Sequence, residues 1–348
     1  MFAKAFWGDK AMEPLNALVS LANFMLIPAL AYGSQLALGA LGITLIFSIL
    51  RFAHFAHGDT MALGTAAVIG GTFFLQAQGI TGPFGMPTAI LAIPIGLVAM
   101  IAYLLAADRL VYKYFRQVKA KPLTLVMASL GVMFVTNGIT RLFMGVGETR
   151  FEDGNRFLFT VREFRDFTGL AEGMALRSAQ AITVVTALVV MVALFWFLNR
   201  TRSGKSMRAY SDNEDLALLS GINPERVVVI TWTITGILLV LAGTLYGLDK
   251  GFRPFNYFQL LLPMFAAAIL GGLGSPVGAI VGAYVVAFAE LGITYAWRRV
   301  FTYLMPEGLE PDSMMQLLPV DYKFAVTFAI LVIVLLFRPT GIFKGKVL

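Results

Sequence analysis

The sequence predicts an all-α fold: a polytopic transmembrane helical bundle of about 8–10 membrane helices, with some segments short or broken. Three observations predict it. Hydrophobic residues make up 58% of the 348 and charged residues only 14%, where a soluble domain carries roughly a quarter charged residues. The apolar residues lie in continuous runs near the ~20 residues that an α-helix needs to cross the hydrocarbon, not in the alternation of barrel strands. Many of the 34 glycines, among them Gly39, Gly42, Gly64, Gly70 and Gly71, fall inside those runs, where small residues let helix backbones approach closely.

Ten apolar segments follow in order: 15–32, 35–50, 60–76, 86–107, 121–145, 178–198, 227–248, 257–273, 275–296 and 322–337. No stretch of about 80 residues is polar enough for a soluble domain, so 1–348 reads as a single transmembrane permease-like domain with modest loops. Residues Met1 to Lys10 show no Ala-x-Ala cleavage site after a short apolar core, and the first apolar run is read as the first membrane helix. The chain has no cysteine, which excludes disulfides and thiolate metal sites. Its net charge of +7 reads as basic cytoplasmic loops, not as a nucleic-acid surface.

Ten crossings place both termini on one side. With that side cytoplasmic, Arg109, Lys113, Arg116, Lys119, Lys121, Arg200, Arg202, Lys205, Arg208, Arg226, Arg338, Lys344 and Lys346 fall inside, and the 27 Lys and Arg divide into 16 inside and 11 outside. Basic loops stay in the cytoplasm. The 146–177 loop is then periplasmic and long enough to fold into a small cap. The 297–321 segment, with Pro306 and Pro311, reads as an irregular surface segment on the same side.

Three stretches carry chemistry. The first, Ile49 to Thr60, holds both histidines, His54 and His57, beside Arg51 and Asp59. Periodicity favours a short solvated turn between two full spans; the alternative is that these groups face a cavity or pathway, as ionisable groups at membrane depth do. Asp59 is a candidate N-cap for the next helix. Two histidines three apart, with no third ligand of the usual kind nearby, make a poor metal site. The second stretch, Thr201 to Arg226, contains Ser211 and Glu214 in capping-box spacing and Gly221 as a stop, predicting a short helix over 212–220 with Leu216, Ala217 and Leu219 on its apolar side. Such a helix suits a cytoplasmic partner, or it folds back on its own bundle. The third, Ala268 to Ala279, includes Gly271, Gly272, Gly274, Ser275 and Pro276. It reads as a broken helix lining a solute path or as a plain interhelical turn.

Motifs of soluble enzymes are missing. The sequence contains no GxxxxGK[ST] phosphate loop, HExxH or GxSxG, so ATP hydrolysis, if it drives transport, belongs to a partner. No cofactor is implied.

At these three stretches the sequence resembles the LivH-type permeases of branched-chain amino acid ABC importers. The likeness runs through Gly39 to Leu50, Phe55-Ala56-His57-Gly58-Asp59, Asp108-Arg109-Leu110, Leu125 to Gly145, Gly204-Lys205-Ser206-Met207-Arg208-Ala209, Leu219-Ser220-Gly221-Ile222-Asn223, Gly271 to Ala279 and Phe337-Arg338-Pro339-Thr340-Gly341. The resemblance implies a permease subunit of the bacterial inner membrane, itself without catalysis. Its expected partners are a second permease of LivM type, two ATPase subunits and a periplasmic solute-binding protein. It assigns 199–226 as the ATPase-coupling loop, through Gly204, Arg208, Ala209, Ser211, Glu214, Leu216, Leu219 and Gly221. It also brings His57, Gly58, Asp59, Gly271, Gly272, Gly274 and Ser275 toward the translocation pathway. Two departures stand out: the longer, more charged 146–177 and 297–321 segments, and Arg51-Phe52-Ala53-His54 in place of a more apolar, Asn-containing run.

The solute follows as a branched-chain amino acid, with urea or a short amide as the alternative because those permeases share the core motif. A secondary transporter driven by an ion gradient would carry several mid-helix ionisable residues; here Glu290 and the 51–59 cluster are the candidates. A membrane enzyme would have to be built from His54, His57 and Asp59.

Overall fold

The computed structural model describes residues 9–151, 153–305, 313–338 and 340–343. Among the described residues, nine helices are long and apolar enough to cross a membrane. They are α1 (Met12–Leu50), α2 (His57–Ala77), α3 (Ala89–Gln117), α4 (Pro122–Met144), α6 (Ser178–Arg200), α9 (Pro224–Lys250), α10 (Pro254–Gly271), α11 (Pro276–Thr294) and the span Val320–Phe337, whose α-helical part is α13 (Lys323–Phe337). Shorter helices α5 (Val161–Thr168), α7 (Arg202–Asp212), α8 (Glu214–Leu219) and α12 (Arg298–Leu304) lie between them. Strands β1 (Phe157–Phe159) and β2 (Leu176–Arg177) pair antiparallel within the 146–177 loop, which also holds α5, closed by a capping box between Thr160 and Glu163.

The first two apolar segments, 15–32 and 35–50, are one helix. Gly33 and Ser34, which look like a break in the sequence, are a packing contact instead. A Cβ on Gly33 would meet the Tyr284 ring of α11 at 2.5 Å, and Ser34 Oγ donates to the Leu30 carbonyl at 2.8 Å while lying 2.9 Å from Tyr284 Oη. The helix carries a π-turn at Ala22–Leu26, a single-turn bulge inside an otherwise continuous helix. α1 is also the centre of the bundle: its most apolar window is 94% buried, against 11% for Val320–Phe337, which occupies the rim.

The bundle has two distinguishable ends. At the upper end, Asn16 Oδ1 accepts from the Glu172 amide at 3.1 Å and Asn23 Oδ1 from the Ala175 amide at 3.1 Å, tying α1 to the 146–177 loop. Thr149 bridges to Phe252 there, and Tyr303 of α12 donates to Glu172 at 3.0 Å. At the lower end, Arg51 reaches the Ser211 carbonyl at 2.5 Å and Lys113 pairs with Glu225 at 3.0 Å. The Ile342 and Phe343 amides donate to Leu270 and Gly271 at the same end. The first described helix therefore begins at the upper end and the last one finishes at the lower end. The expected spans 15–32 and 35–50 merge into one, so nine spans stand among the described residues where ten were expected. Residues 1–8 and 344–348 lie outside the described residues, as do Pro306, Pro311, Pro339, Lys344 and Lys346.

Packing follows small residues, as it must where lipid is as apolar as leucine. α10 and α11 form the tightest pair. An added Cβ on Gly271 would collide with the Gly278 carbonyl, one on Gly278 with the Gly271 carbonyl, and one on Gly282 with the Ala267 carbonyl. Gly278→Val should accordingly push the two backbones apart at a cost of about 1–3 kcal/mol or more, read as a lowered thermal unfolding midpoint in detergent; an unchanged midpoint would show that the hairpin does not depend on this contact.

Candidate functional site

α1 ends at Arg51, whose backbone is left-handed (φ 58°), and the chain then turns back into the bundle without helical structure until His57. The turn is not solvated: His54 is 1% exposed, His57 0% and Asp59 1%. His57 Nε2 donates to the Gly39 carbonyl at 2.9 Å, and Gly39 lies 11 residues before Leu50, about 16 Å along the helix axis. α2 thus starts in the interior of the bundle, not at its lower surface. That explains why the solvated-turn expectation fails. The run from 60 to 76 is long enough to span, but the helix that contains it begins midway.

A helix that begins inside a membrane protein presents free N–H groups and positive dipole character there. Asp59 stands in that first turn. It does not cap the helix, whose cap position is Ala56 with no side-chain bond. Instead Asp59 Oδ1 accepts from Asn137 Nδ2 of α4 at 2.6 Å. Gly58 is required by close approach: a Cβ there would meet the Tyr257 carbonyl of α10 at 2.6 Å.

Beside the break lies a polar and aromatic network that sequence reasoning did not single out. His54 Nε2 and Tyr112 Oη are 3.0 Å apart. Tyr112 stacks on Trp232 with ring centroids 5.4 Å apart. Trp232 Nε1 donates to Asp108 Oδ1 at 2.7 Å, and Arg116 holds the same carboxylate at 2.5 and 3.0 Å. A fork of this kind is stronger than a single bond and fixes the carboxylate's plane. The sequence does hold a signal: Asp108, Tyr112 and Arg116 recur every four residues on one helical face, although the π-turn Asp108–Tyr112 blurs it. Glu290 is fully buried, with Oε1 accepting from the Thr327 hydroxyl. Among the described residues no group of three or more His, Asp or Glu could hold a metal ion.

The remaining predicted residues gather at the lower end. Gly272 (φ 104°) and Gly274 (φ 88°) turn the chain in conformations that suit glycine, and Ser275 Oγ caps α11 by accepting from the Gly278 amide at 3.2 Å. The 271–275 run is therefore the closing turn of the α10–α11 pair. It lies apart from His57, Gly58 and Asp59, so the sequence-predicted pathway set divides into two places. Gly274 shares a cleft of about 410 Å³ with Arg208, Ala209 and Ser211, which brings part of the pathway set against part of the coupling set.

The coupling stretch forms two helices, not one. α7 starts at Thr201, which accepts from the Gly204 amide; Gly204 sits so close to α6 that a Cβ would strike the Phe197 carbonyl. Arg208 Nη1 donates to Asn199 at 3.0 Å. The capping box expected from Ser211 and Glu214 is absent because Ser211 still belongs to α7. Asn213 caps α8, accepting from the Leu216 amide at 3.0 Å. Glu214 instead accepts from Tyr210 Oη at 2.7 Å; burial, and then this bond, raise the Tyr210 phenol above its usual pKa, so it stays a donor. Gly221 (φ 79°) closes α8 as expected. Ala217 is buried, while Leu216 and Leu219 are 60% and 85% exposed, leaving an apolar face at the lower end.

Comparison with known proteins agrees with this architecture. Residues 25–335 match the family described as branched-chain amino acid transport system / permease component. The chain is 28% identical over 315 residues to the high-affinity branched-chain amino acid transport system permease protein LivH of Escherichia coli K12, covering 89% of this chain and 91% of that one. Against BraD, the corresponding permease protein of Pseudomonas aeruginosa, identity is 27% over 321 residues, covering 91% and 94%. The galactose/methyl galactoside import permease MglC of Haemophilus influenzae is also similar, at 26% over 249 residues, covering 67% and 68%.

Removing one partner of the Asp108 network should be costly. Asp108→Asn leaves the Arg116 guanidinium half-paired and should lower stability by about 3 kcal/mol, somewhat less to the extent that Arg116, 19% exposed, reaches solvent. Trp232→Phe, which deletes one hydrogen bond, should cost about 1.5–3 kcal/mol. Denaturant titration in detergent checks both; equal and negligible losses would mean the network is ornamental.

Proposed function

The chain belongs to the branched-chain amino acid transport system / permease component family, and from that premise we propose that it moves branched-chain or similar amino acids across the bacterial inner membrane, from periplasm to cytoplasm. It is a multi-pass membrane protein and the permease component of an ABC transporter, not itself catalytic. An ABC permease implies ATPase and binding-protein partners. In our reading these are two ATPase subunits, a second permease of LivM type and a periplasmic solute-binding protein, with 1–348 as one permease domain. The lower end is cytoplasmic in this reading, because the short loops 109–121 and 200–226 there are rich in Lys and Arg; the 146–177 loop then faces the periplasm.

The observation that carries the proposal is the bond from Arg51 Nη2 to the Ser211 carbonyl. It joins the end of α7 to the segment that leads to His54 and His57. An ATPase seated on the exposed Leu216 and Leu219 of α8 would load α7 and α8 as one unit. Arg51 would pass that displacement to the 51–56 break, and the interior start of α2, with His57, Gly58 and Asp59, would shift against α4 and α10. The work is conformational: the binding energy of nucleotide on the partner biases one of two arrangements of the bundle. Gly271, Gly272, Gly274 and Ser275 serve, in this mechanism, as the pivot beside Arg208, Ala209 and Ser211, and Gly204, Glu214 and Gly221 hold the shape of the coupling helices.

The proposal is tested in proteoliposomes holding this chain, its partner permease, both ATPases and the binding protein. Labelled leucine should enter only with ATP and should be competed by isoleucine and valine. Competition by urea or acetamide alone would keep the transporter class and replace the solute, and uptake by this chain alone without ATP would overturn the mechanism. Leu216→Asp changes an exposed position, so folding should stay within about 0.5 kcal/mol; uptake should nonetheless fall at least tenfold, because burying one unpaired carboxylate in the docking face costs several kcal/mol. Normal coupling in the folded variant would remove α8 from the docking surface.

A further inference from the structure

The upper end carries a second cleft, of about 540 Å³, between the start of α6, the end of α9 and the loop around Asp153. That volume falls within the roughly 300–1,000 Å³ of small-molecule sites. Its walls bear fixed charges of both signs, Arg156, Arg177 and Lys250 against Asp153 and Asp249. Asp249 is the unusual member. Its side chain is 1% exposed, with Lys250 Nζ at 3.2 Å and Arg177 Nη1 at 3.7 Å, yet among the described residues neither of its oxygens accepts a hydrogen bond. Ser178 Oγ and Asp153 Oδ1, which line the same cleft, are likewise buried without a hydrogen-bond partner. Buried polar atoms are almost always satisfied, so four such atoms converging on one cleft mark a place built to receive polar groups from elsewhere.

We propose that this cleft is a subsite for the zwitterionic head of an amino acid, with Asp249 receiving the α-ammonium and Arg177 and Lys250 the α-carboxylate. The argument is one of exchange. Asp249 is buried, so drawing it away from its cations is expensive unless a new positive charge takes their place. A zwitterion can take Asp249 from its loosely held cations and supply a carboxylate to the cations it frees, so the number of ion pairs does not fall. Urea, an amide or a sugar can make no such exchange. Ser178 Oγ and Asp153 Oδ1 stand ready to bond the remaining ammonium hydrogens. The inference rests on the amino-acid reading of the proposed function and deepens it, by naming where on this chain the head group is held as the solute passes in.

The test compares wild type, Asp249→Asn and Arg177→Gln in the full reconstituted importer, measuring leucine uptake and ATP hydrolysis stimulated by the leucine-loaded binding protein. Both variants should keep stimulated hydrolysis within about twofold of wild type while uptake per ATP falls, at least about tenfold for Asp249→Asn, which leaves the ammonium without its counter-charge, and severalfold for Arg177→Gln, which leaves the carboxylate to Lys250 alone. Unchanged uptake per ATP in either variant overturns the subsite. A parallel loss of hydrolysis and uptake in both variants also overturns it, because that outcome assigns the two residues a structural role alone. Failure of the wild-type importer to take up leucine at all would instead remove the amino-acid reading, and the subsite with it.

Discussion

Inside a bilayer every backbone N–H and C=O must find a partner within the protein, and much of this structure is arranged around a stretch where helical bonding cannot supply those partners. Between Arg51 and His57 the helical ladder stops while the chain is still inside the bundle. Irregular backbone at that depth survives only where protein surrounds it, and here it is enclosed by α3, α4, α9 and α10. Phe55 N donates to Ser129 Oγ at 3.1 Å, Phe52 is 2% exposed, and the His54–Tyr112–Trp232 rings form the wall. The Asp108–Arg116 pair anchors that wall at its lower edge. The close approach of Gly58 to α10 and the bond from His57 to Gly39 of α1 complete the enclosure of residues 51–56.

Much of the architecture was legible in the sequence because hydropathy is a property of single residues summed over a window. Eight of the ten apolar runs appear as separate spans, and the other two make up α1. The lesson from Gly33 and Ser34 is that small residues mean a turn in water and a close contact in lipid; the letters are the same, and only the partner helix, with Tyr284 upon it, decides. The short helix that the sequence predicts over 212–220 lies at Glu214–Leu219, with Gly221 as its stop. Its start was misplaced because Asn213 outcompetes Ser211 for the cap once Ser211 is drawn into α7.

The candidate site was legible only in part, for a reason of distance. His57, Gly58 and Asp59 are adjacent in sequence, so their clustering is visible without a structure. Their partners are not: Asn137 is 78 residues from Asp59, and Trp232 is 124 from Asp108. No periodicity reports such pairs. The 271–275 run shows the opposite case, where a composition that suits a broken mid-membrane helix turns out to suit a tight hairpin at the lower end equally well. Chemistry can be read from residue types, but depth in the membrane comes from the neighbours.

One feature of α1 reaches further than its role in packing. Its 39 residues make a rod about 58 Å long, nearly twice the ~30 Å of the hydrocarbon. The same helix, with its π-turn at Ala22–Leu26, touches the loop bearing Glu172 near one extremity and the Arg51–Ser211 contact at the other. A helix resists compression along its axis far better than a chain of loops does. The two ends of the bundle therefore share one continuous helix, so a displacement at the Glu172 loop and one at the Arg51–Ser211 contact act on the same body.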